Sequence, residues 1–207
     1  MTRKFAVLLV LAAALAGLAT VWITIRRPAA PPALEQATLL NPTRSLPQFE
    51  LVDQAGRAFQ RDRLRGHWTL MFFGFTNCPD VCPTTLAALA EVRRKLADLP
   101  AGDLPAVVFV SVDPGRDTPA ELGRYVGHFD PHFLGVTGQP VSIEGLTHDL
   151  GVAVSVGPTS QDGNYTVDHT AAIFLIDPSP AFTAVFGNPH VADVIARDYR
   201  SIVATRR

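Results

Sequence analysis

The sequence contains only two cysteines, Cys78 and Cys82, and their position constrains the fold more than any other feature. A continuous apolar run at residues 70–75 precedes them and predicts a buried strand. After them, apolar residues recur every three or four positions, which predicts a helix over residues 83–99 that ends at Pro100. Both thiols are therefore expected where a strand passes into a helix.

The Cys-x-x-x-Cys spacing suits several kinds of chemistry. If the helix already included Cys78, the two thiols would lie at i and i+4, with Cβ atoms about 5–6 Å apart. A small local shift would then allow a disulfide, whereas two thiolates at this distance could hold one soft metal ion. A helix N-terminus stabilises thiolates, which favours redox or metal chemistry over a structural disulfide or two inert buried thiols.

Three segments precede the predicted domain, which covers residues 48–207. Residues 1–4 form a short basic head, and residues 5–25 contain no charged side chain. This apolar segment is long enough to span a membrane, so we predict a transmembrane signal anchor, with a cleaved signal peptide as the alternative. A short head of this kind usually stays in the cytoplasm, which would place the domain on the other side of the membrane. Residues 26–47 are rich in proline and alanine and predict a semi-extended tether.

The order of the predicted elements indicates the fold class. Alternating strands and helices, followed by a β-hairpin and a last helix, predict an α/β domain with a mixed sheet flanked by helices. This layout is thioredoxin-like, with an extra N-terminal β-hairpin at residues 49–60. Thr118 and Glu121 form a capping box for the second helix, and Ser142 is predicted to cap the third. In such sheets, ligands bind beyond the carboxyl ends of the parallel strands, where the cysteines lie.

The composition excludes several classes of protein. The chain has 18 basic and 19 acidic residues and a net charge of −1, so nothing in its charge favours binding to nucleic acid. Its 17 prolines and 15 glycines are spread without a period, which excludes collagen-like and low-complexity chains. Apart from the N-terminal segments, the composition is that of an ordinary globular domain.

A metal held by two thiolates needs a further ligand, and the chain has six histidines. His169 differs from the others because it is predicted to open the most apolar late strand, where a polar side chain needs a partner. In a thioredoxin-like sheet, the start of this strand lies beside the cysteine turn. A hydrogen-bonded structural role for His169 is the alternative. The other histidines are predicted to be solvated or structural, with His190 able to cap the last helix: His67, His128, His132, His148 and His190.

Two thiolates and one imidazole would form a donor set for a soft metal ion. Thiolates favour Cu(I), zinc or iron–sulfur clusters, and imidazole suits zinc and copper. A structural zinc site would normally have a fourth protein ligand, whereas three ligands leave a position open for transfer or redox chemistry. Asp80 and Asp168 are candidates for outer partners of the ligands. A zinc-binding structural module remains open as an alternative on these residues alone.

Three ordered motifs resemble the SCO/SenC family, the copper-binding assembly factors of cytochrome c oxidase. They are residues 73–83 around the cysteines, residues 111–119 with the sequence Ser-Val-Asp-Pro-Gly-Arg-Asp-Thr-Pro, and residues 165–178 around His169. The resemblance implies a thioredoxin-like domain that is tethered to the membrane in the periplasm or its organellar equivalent. It also implies one copper ion, as Cu(I) or Cu(II), with Cys78, Cys82 and His169 as its ligands.

The resemblance further implies a function. It points to maturation of the dinuclear copper centre in oxidase subunit II, with a copper donor and a thiol reductant as further partners. Family members are described both as copper donors and as reductants of the oxidase's own cysteines, and the sequence favours neither role. A metallochaperone is favoured over a turnover enzyme, although Cys78 and Cys82 could act as a redox-active catalytic pair.

The competing hypothesis is a membrane-anchored thiol–disulfide oxidoreductase of thioredoxin or peroxidase type, without a role in copper delivery. Such a protein would use the same fold and the same pair of thiols. Thioredoxins, however, have a Cys-x-x-Cys spacing. The additional residue between Cys78 and Cys82 alters the relative placement of the two thiols. The spacing therefore argues for the copper-binding interpretation.

Overall fold

The computed structural model describes residues 13–18, 33–160 and 165–206. The chain divides into two compact units, Met1–Ala33 and Leu34–Arg207. In the first unit, residues 13–18 are helical, while the basic head and the rest of the predicted anchor lie outside the described residues. Within the part of the chain that the structure describes, no helix has the length and apolar character needed to cross a membrane.

The described part of the second unit consists of ten strands, four α-helices and one short 3-10 helix, Arg61–Leu64. The strands are β1 (Ala37–Ser45), β2 (Glu50–Asp53), β3 (Ala58–Gln60), β4 (Thr69–Gly74), β5 (Ala106–Ser111), β6 (Leu134–Thr137), β7 (Val154–Val156), β8 (Val167–His169), β9 (Ile173–Ile176) and β10 (Ala181–Phe186). The helices are α1 (Val81–Lys95), α2 (Pro119–Gly127), α3 (Pro140–Leu150) and α4 (Ala192–Thr205).

Eight strands form one mixed sheet in the order β1-β10-β9-β4-β5-β6-β2-β3. β4, β5 and β6 run parallel, and all other neighbours in this sheet pair antiparallel. The parallel strands are connected through α1 and α2. The β9–β10 hairpin extends the sheet on one side, and the β2–β3 hairpin extends it on the other. The predicted thioredoxin-like mixed sheet with an extra N-terminal hairpin is therefore confirmed.

Strand β4 lies in the middle of the sheet and is buried on both faces. Leu70 and Phe72 belong to one core cluster, together with apolar side chains of α1, α2 and α4. Met71 and Phe73 belong to a second cluster, together with apolar side chains of α3. Because successive side chains of a strand point to opposite faces, β4 has no solvent-facing side. This explains why its sequence is continuously apolar rather than alternating.

The N-terminal caps of α2 and α3 were both predicted from the sequence. The capping box is confirmed: Thr118 Oγ1 accepts from the N–H of Glu121, whose carboxylate accepts from the N–H of Thr118. The prediction that Ser142 caps the next helix is wrong, because α3 begins at Pro140 and is preceded by Gln139. Proline suits the first position of a helix, since its fixed φ matches and its missing N–H would have no partner there.

Part of the predicted tether is folded. β1 lies within residues 26–47 and forms an edge strand of the sheet, paired antiparallel with β10. The prolines of this segment and its lack of hydrophobic alternation predicted an extended tether instead. Pro42 is compatible with the strand because an edge strand pairs on one side only and does not need every N–H as a donor.

Asp198 of α4 fixes the start of β1. Its buried carboxylate accepts hydrogen bonds from the backbone N–H groups of Glu35, Gln36 and Ala37 at 2.8–3.1 Å. We expect Asp198→Ala to lower the free energy of unfolding by about 2–3 kcal/mol, because three N–H groups lose a charged acceptor. Denaturant unfolding measures this loss, and hydrogen exchange of the β1 amides should accelerate. Asp193→Ala, which removes a 73% exposed carboxylate from the same helix, should cost less than about 1 kcal/mol. Equal losses from both variants would contradict the role given to Asp198.

Candidate metal centre

The two cysteines lie in the connection between β4 and α1. The predicted helix bounds of 83–99 are wrong by a few residues, because α1 covers Val81–Lys95 and includes Cys82 but not Cys78. The loop folds back instead: the N–H of Cys78 donates to the carbonyl oxygen of Phe75 at 3.3 Å, and the N–H of Cys82 donates to Sγ of Cys78 at 3.4 Å. Sγ of Cys78 therefore lies at the N-terminal end of α1, where backbone N–H groups favour negative charge. Both thiols are free.

His169 approaches the cysteines from a separate two-stranded sheet. It is the last residue of β8, which pairs with β7, rather than the first residue of the core strand β9. Its Nε2 lies 3.4 Å from Sγ of Cys82, although 87 positions separate the two residues. The potential ligand atoms of Cys78, Cys82 and His169 all lie within 4.8 Å of one another. The fold thus brings together the three residues that were selected from the sequence. Residues 161–164, whose sequence Gln-Asp-Gly-Asn predicts a turn, lie outside the described residues.

The hydrogen bond of His169 determines which ring nitrogen is available to a metal. Nδ1 lies 3.3 Å from the carbonyl oxygen of Thr170, which can only accept, so Nδ1 carries the proton. Nε2 then presents its lone pair towards the thiol of Cys82, which can donate. Burial lowers the pKa of His169 and raises the pKa of the Cys82 thiol. Both groups are therefore held in their neutral forms without a metal, and an ion that binds Cys82 must displace the thiol proton.

The two sides of the centre differ in character. On the protein side, the rings of Phe72 and Phe75 lie edge-on to the imidazole of His169, each with its centroid 6.0 Å away. On the solvent side, the cysteine loop and the β8 segment line a cleft of about 510 Å³. Cys82 is fully buried, whereas Cys78 is half-buried. An ion or a partner would therefore reach the centre through the cleft, past Cys78.

The two predicted outer partners, Asp80 and Asp168, are exposed and line this cleft. Neither carboxylate belongs to the group formed by the thiols and His169, and within the described residues no fourth histidine, cysteine or carboxylate joins that group. Their negative charges make the mouth of the cleft acidic. An acidic mouth attracts cations, but the structure gives neither aspartate a contact with a ligand atom of the centre.

Asp117 is a buried carboxylate near the centre and was not among the predicted site residues. It accepts hydrogen bonds from Oγ of Ser111 at 2.6 Å, from Oγ1 of Thr76 at 2.5 Å and from the N–H of Thr76 at 3.0 Å. Because Thr76 lies two residues before Cys78, Asp117 ties the cysteine loop to the end of β5. Burial raises the pKa of Asp117, and these hydrogen bonds oppose that effect. Its position inside the motif at residues 111–119 was the only signal in the sequence.

None of the other histidines belongs to the group formed by Cys78, Cys82 and His169. His128, His132 and His148 are exposed, and His67 is half-buried before β4. The prediction that His190 caps the last helix is wrong, because α4 has no side-chain cap and its flanking residue is Val191. The Nδ1 of His190 instead lies 2.9 Å from the hydroxyl of Thr85 on α1. This contact gives His190 a structural role between α1 and α4.

Comparisons with known proteins identify related sequences and structures. The SCO1/SenC family model matches residues 38–204 of the chain. The mouse mitochondrial protein SCO2 homolog is 42% identical over 158 residues, which are 75% of this chain and 61% of the mouse protein. The chain thus spans less than two thirds of that relative's length.

Two solved structures with copper bound share the fold. ScoI from Bradyrhizobium japonicum is 40% identical, with a TM-score of 0.68 over 75% of this chain and 98% of the other. ScoI from Arabidopsis thaliana is 33% identical, with a TM-score of 0.71 over 76% of this chain and 98% of the other. At these identities the likeness extends beyond the fold to the family.

Proposed function

The chain belongs to the SCO1/SenC family, and we propose that it binds one copper ion through Cys78, Cys82 and His169. The observation that carries this proposal is the convergence of two sulfur atoms and one imidazole nitrogen within 4.8 Å. Two thiolates and a neutral imidazole form a soft donor set that suits Cu(I), and the same set gives a neutral complex with Cu(II). Two related proteins hold copper in their solved structures, which supports copper as the metal.

The donor set also suits an ion that is bound and then passed on. A structural zinc site normally has four protein ligands, and within the described residues this centre has three. The half-buried Cys78 faces the cleft, so a ligand from another protein could enter there and replace the ligands of this chain in turn. Copper is therefore the cargo of this protein rather than a fixed part of its fold.

The proposed recipient is cytochrome c oxidase, with the dinuclear copper centre of subunit II as the site that is matured. A copper donor and a thiol reductant are the further partners that this role requires, because a Cys78–Cys82 disulfide would offer no thiolates. A general thiol–disulfide oxidoreductase would need the two sulfurs but no imidazole. The placement of His169 against Cys82 therefore supports copper binding over that alternative.

We further infer that residues 5–25 anchor the protein and that the domain lies in the periplasm or the equivalent intermembrane space, with residues 1–4 in the cytoplasm. A C-terminal fusion to alkaline phosphatase should be active in a bacterial host and sediment with membranes, because that enzyme folds only outside the cytoplasm. Deletion of residues 5–25 should abolish both properties. An inactive fusion of the full chain would contradict this orientation, and a soluble active fusion would support a cleaved signal peptide instead.

Titration of the reduced full-length protein with Cu(I) tests the proposed function. We expect one tight site per chain. His169→Ala should lower its Cu(I) affinity at least about tenfold, because even the loss of a residue that only hydrogen-bonds to a metal ligand lowers metal affinity by about 10–100-fold. Competition with a chromophoric Cu(I) chelator measures the affinity, and His148→Ala, which changes an exposed histidine, is the matched control. Unchanged affinity and spectra in His169→Ala would refute the third ligand. Stoichiometric zinc that resists displacement by Cu(I) would refute copper as the metal.

A further inference from the structure

The motif at residues 111–119 supplies no metal ligand, so its place beside the centre needs another explanation. Its Asp117 holds the cysteine loop through the backbone N–H and the hydroxyl of Thr76. Its other two charged residues, Asp113 and Arg116, face the β7–β8 hairpin that carries His169. The motif therefore lies between the two parts of the chain that must meet to form the centre.

Arg116 makes three kinds of contact with Asp113 and Tyr165, and we call these three residues the Arg116 cluster. The guanidinium carbon of Arg116 lies 3.7 Å from the ring centroid of Tyr165, and its Nη1 donates to the backbone carbonyl oxygen of Tyr165 at 3.1 Å. Its Nε donates to the carboxylate of Asp113 at 2.5 Å. The hydroxyl of Tyr165 donates to the other oxygen of the same carboxylate, also at 2.5 Å. The contacts form a closed ring of interactions around one buried carboxylate.

The same guanidinium also reaches the cysteine loop. Its carbon lies 5.8 Å from the ring centroid of Phe75, which follows β4 and whose carbonyl oxygen accepts from the N–H of Cys78. Phe75 in turn lies edge-on to His169. Arg116 is therefore in contact with Phe75 on the cysteine side and with Tyr165, four residues before His169, on the histidine side.

The β7–β8 hairpin needs such a contact because its backbone is not part of the main sheet. Among the described strands, β7 and β8 pair only with each other, and all three residues of β7 are exposed. An isolated two-stranded hairpin has little stability of its own in water. Its position against the cysteine loop depends on its connection to β9, on the burial of Val167 in the second core cluster and on further side-chain contacts. Among those contacts, the Arg116 cluster provides a charged, stacked and hydrogen-bonded set.

We propose that Arg116 is a positioning residue that holds the β7–β8 hairpin, and with it His169, over Cys82. This inference rests on the proposed function for its consequence in copper binding, but the placement of His169 can be measured without metal. Loss of the guanidinium would release the hairpin from the cysteine loop. The centre would then behave as a pair of thiols with a distant imidazole.

The test compares reduced, metal-free full-length protein with Arg116→Gln by NMR, using labelled histidine and phenylalanine. The wild type should show nuclear Overhauser contacts between His169 and the rings of Phe72 and Phe75. In Arg116→Gln these contacts should be lost, and Cu(I) affinity should fall by about tenfold, as in His169→Ala. Arg116→Lys keeps the positive charge beside Asp113 but loses the planar group that stacks on Tyr165 and donates from two nitrogens. It should therefore retain only part of the nuclear Overhauser contacts and of the Cu(I) affinity.

Arg124→Gln is the matched control, because it removes an exposed arginine from α2 and should leave both signals unchanged. If Arg116→Gln does not fold, Tyr165→Phe decides, since it removes only the hydroxyl that donates to Asp113 and should weaken the same contacts partially. Retained contacts with unchanged copper affinity would overturn the proposal, and so would reduced affinity with retained contacts, which would indicate a purely electrostatic role. If the wild type bound no copper, the proposed function would fail, while the metal-free NMR comparison would still decide the role of Arg116.

Discussion

Cys82→Ser is expected to lower the Cu(I) affinity of the reduced protein by more than about 100-fold. Loss of a residue that only hydrogen-bonds to a metal ligand lowers metal affinity by up to about 100-fold, and loss of the ligand itself should lower it further. Serine has nearly the shape of cysteine, but its hydroxyl is a hard ligand that stays protonated, whereas Cu(I) favours thiolates. Cys82 is fully buried and lies 3.4 Å from His169, so no solvent ligand can readily take its place. The effect should exceed that of His169→Ala, because two thiolates still hold Cu(I) when the imidazole is missing.

Competition with a Cu(I) chelator measures this loss, and Thr85→Ser is the control. Thr85 is buried one turn further along α1, and the substitution removes one methyl group without touching a ligand, so copper affinity should not change. The wild type oxidised to a Cys78–Cys82 disulfide should bind copper as poorly as Cys82→Ser, and reduction should restore binding. Tight binding by either Cys82→Ser or the oxidised protein would show that the sulfurs are not the ligands.

The three converging residues could be selected from the sequence because their chemistry leaves few alternatives. Two cysteines after a buried strand predict a site at the end of that strand, and the fold class predicts that the segment around His169 lies beside it. The geometry that joins them was not predictable in detail. The helix starts between the cysteines rather than after them, and His169 ends a separate two-stranded sheet rather than opening β9. The helix start follows local hydrogen bonds of the loop, from the N–H of Cys78 to Phe75 and from the N–H of Cys82 to Sγ of Cys78, whereas the place of His169 depends on the pairing of β8 with β7.

The residues that support the centre were harder to identify. Asp117 and Arg116 are charged residues in a loop, and a charged loop residue is usually solvated, so nothing local marks either of them as buried or stacked. Their roles appear only when the cysteine loop and the β7–β8 hairpin lie on either side of the β5–α2 connection. Strand β1 was missed for a related reason. Its pairing with β10 and its anchoring by Asp198 join positions about 150 residues apart in a segment rich in proline.

Gly74 is a further residue of the centre whose role depends on packing, and its substitution should lower both stability and copper affinity. A Cβ at this position would lie 2.7 Å from Sγ of Cys82 and 2.7 Å from Cε2 of Phe109, closer than van der Waals contact allows. Phe109 is fully buried, so its ring cannot simply move away. We expect Gly74→Ala to lower the free energy of unfolding by about 2 kcal/mol, in the range for overpacked cores. Because the sulfur of Cys82 must shift as well, Cu(I) affinity should fall by at least about tenfold.

Gly145→Ala provides the matched control for Gly74→Ala. Gly145 lies in α3, where a Cβ would come within 4 Å of no atom beyond its two chain neighbours and the nearby backbone of its own helix, so the same substitution there should leave copper affinity unchanged. Its effect on the free energy of unfolding should be neutral or stabilising by up to about 1 kcal/mol, since alanine is the better helix former. Denaturant unfolding and chelator competition on both variants separate the two effects. A Gly74→Ala protein that is destabilised but binds copper normally would mean that Sγ of Cys82 tolerates displacement, and the ligand geometry would then be set by Cys78 and His169 instead.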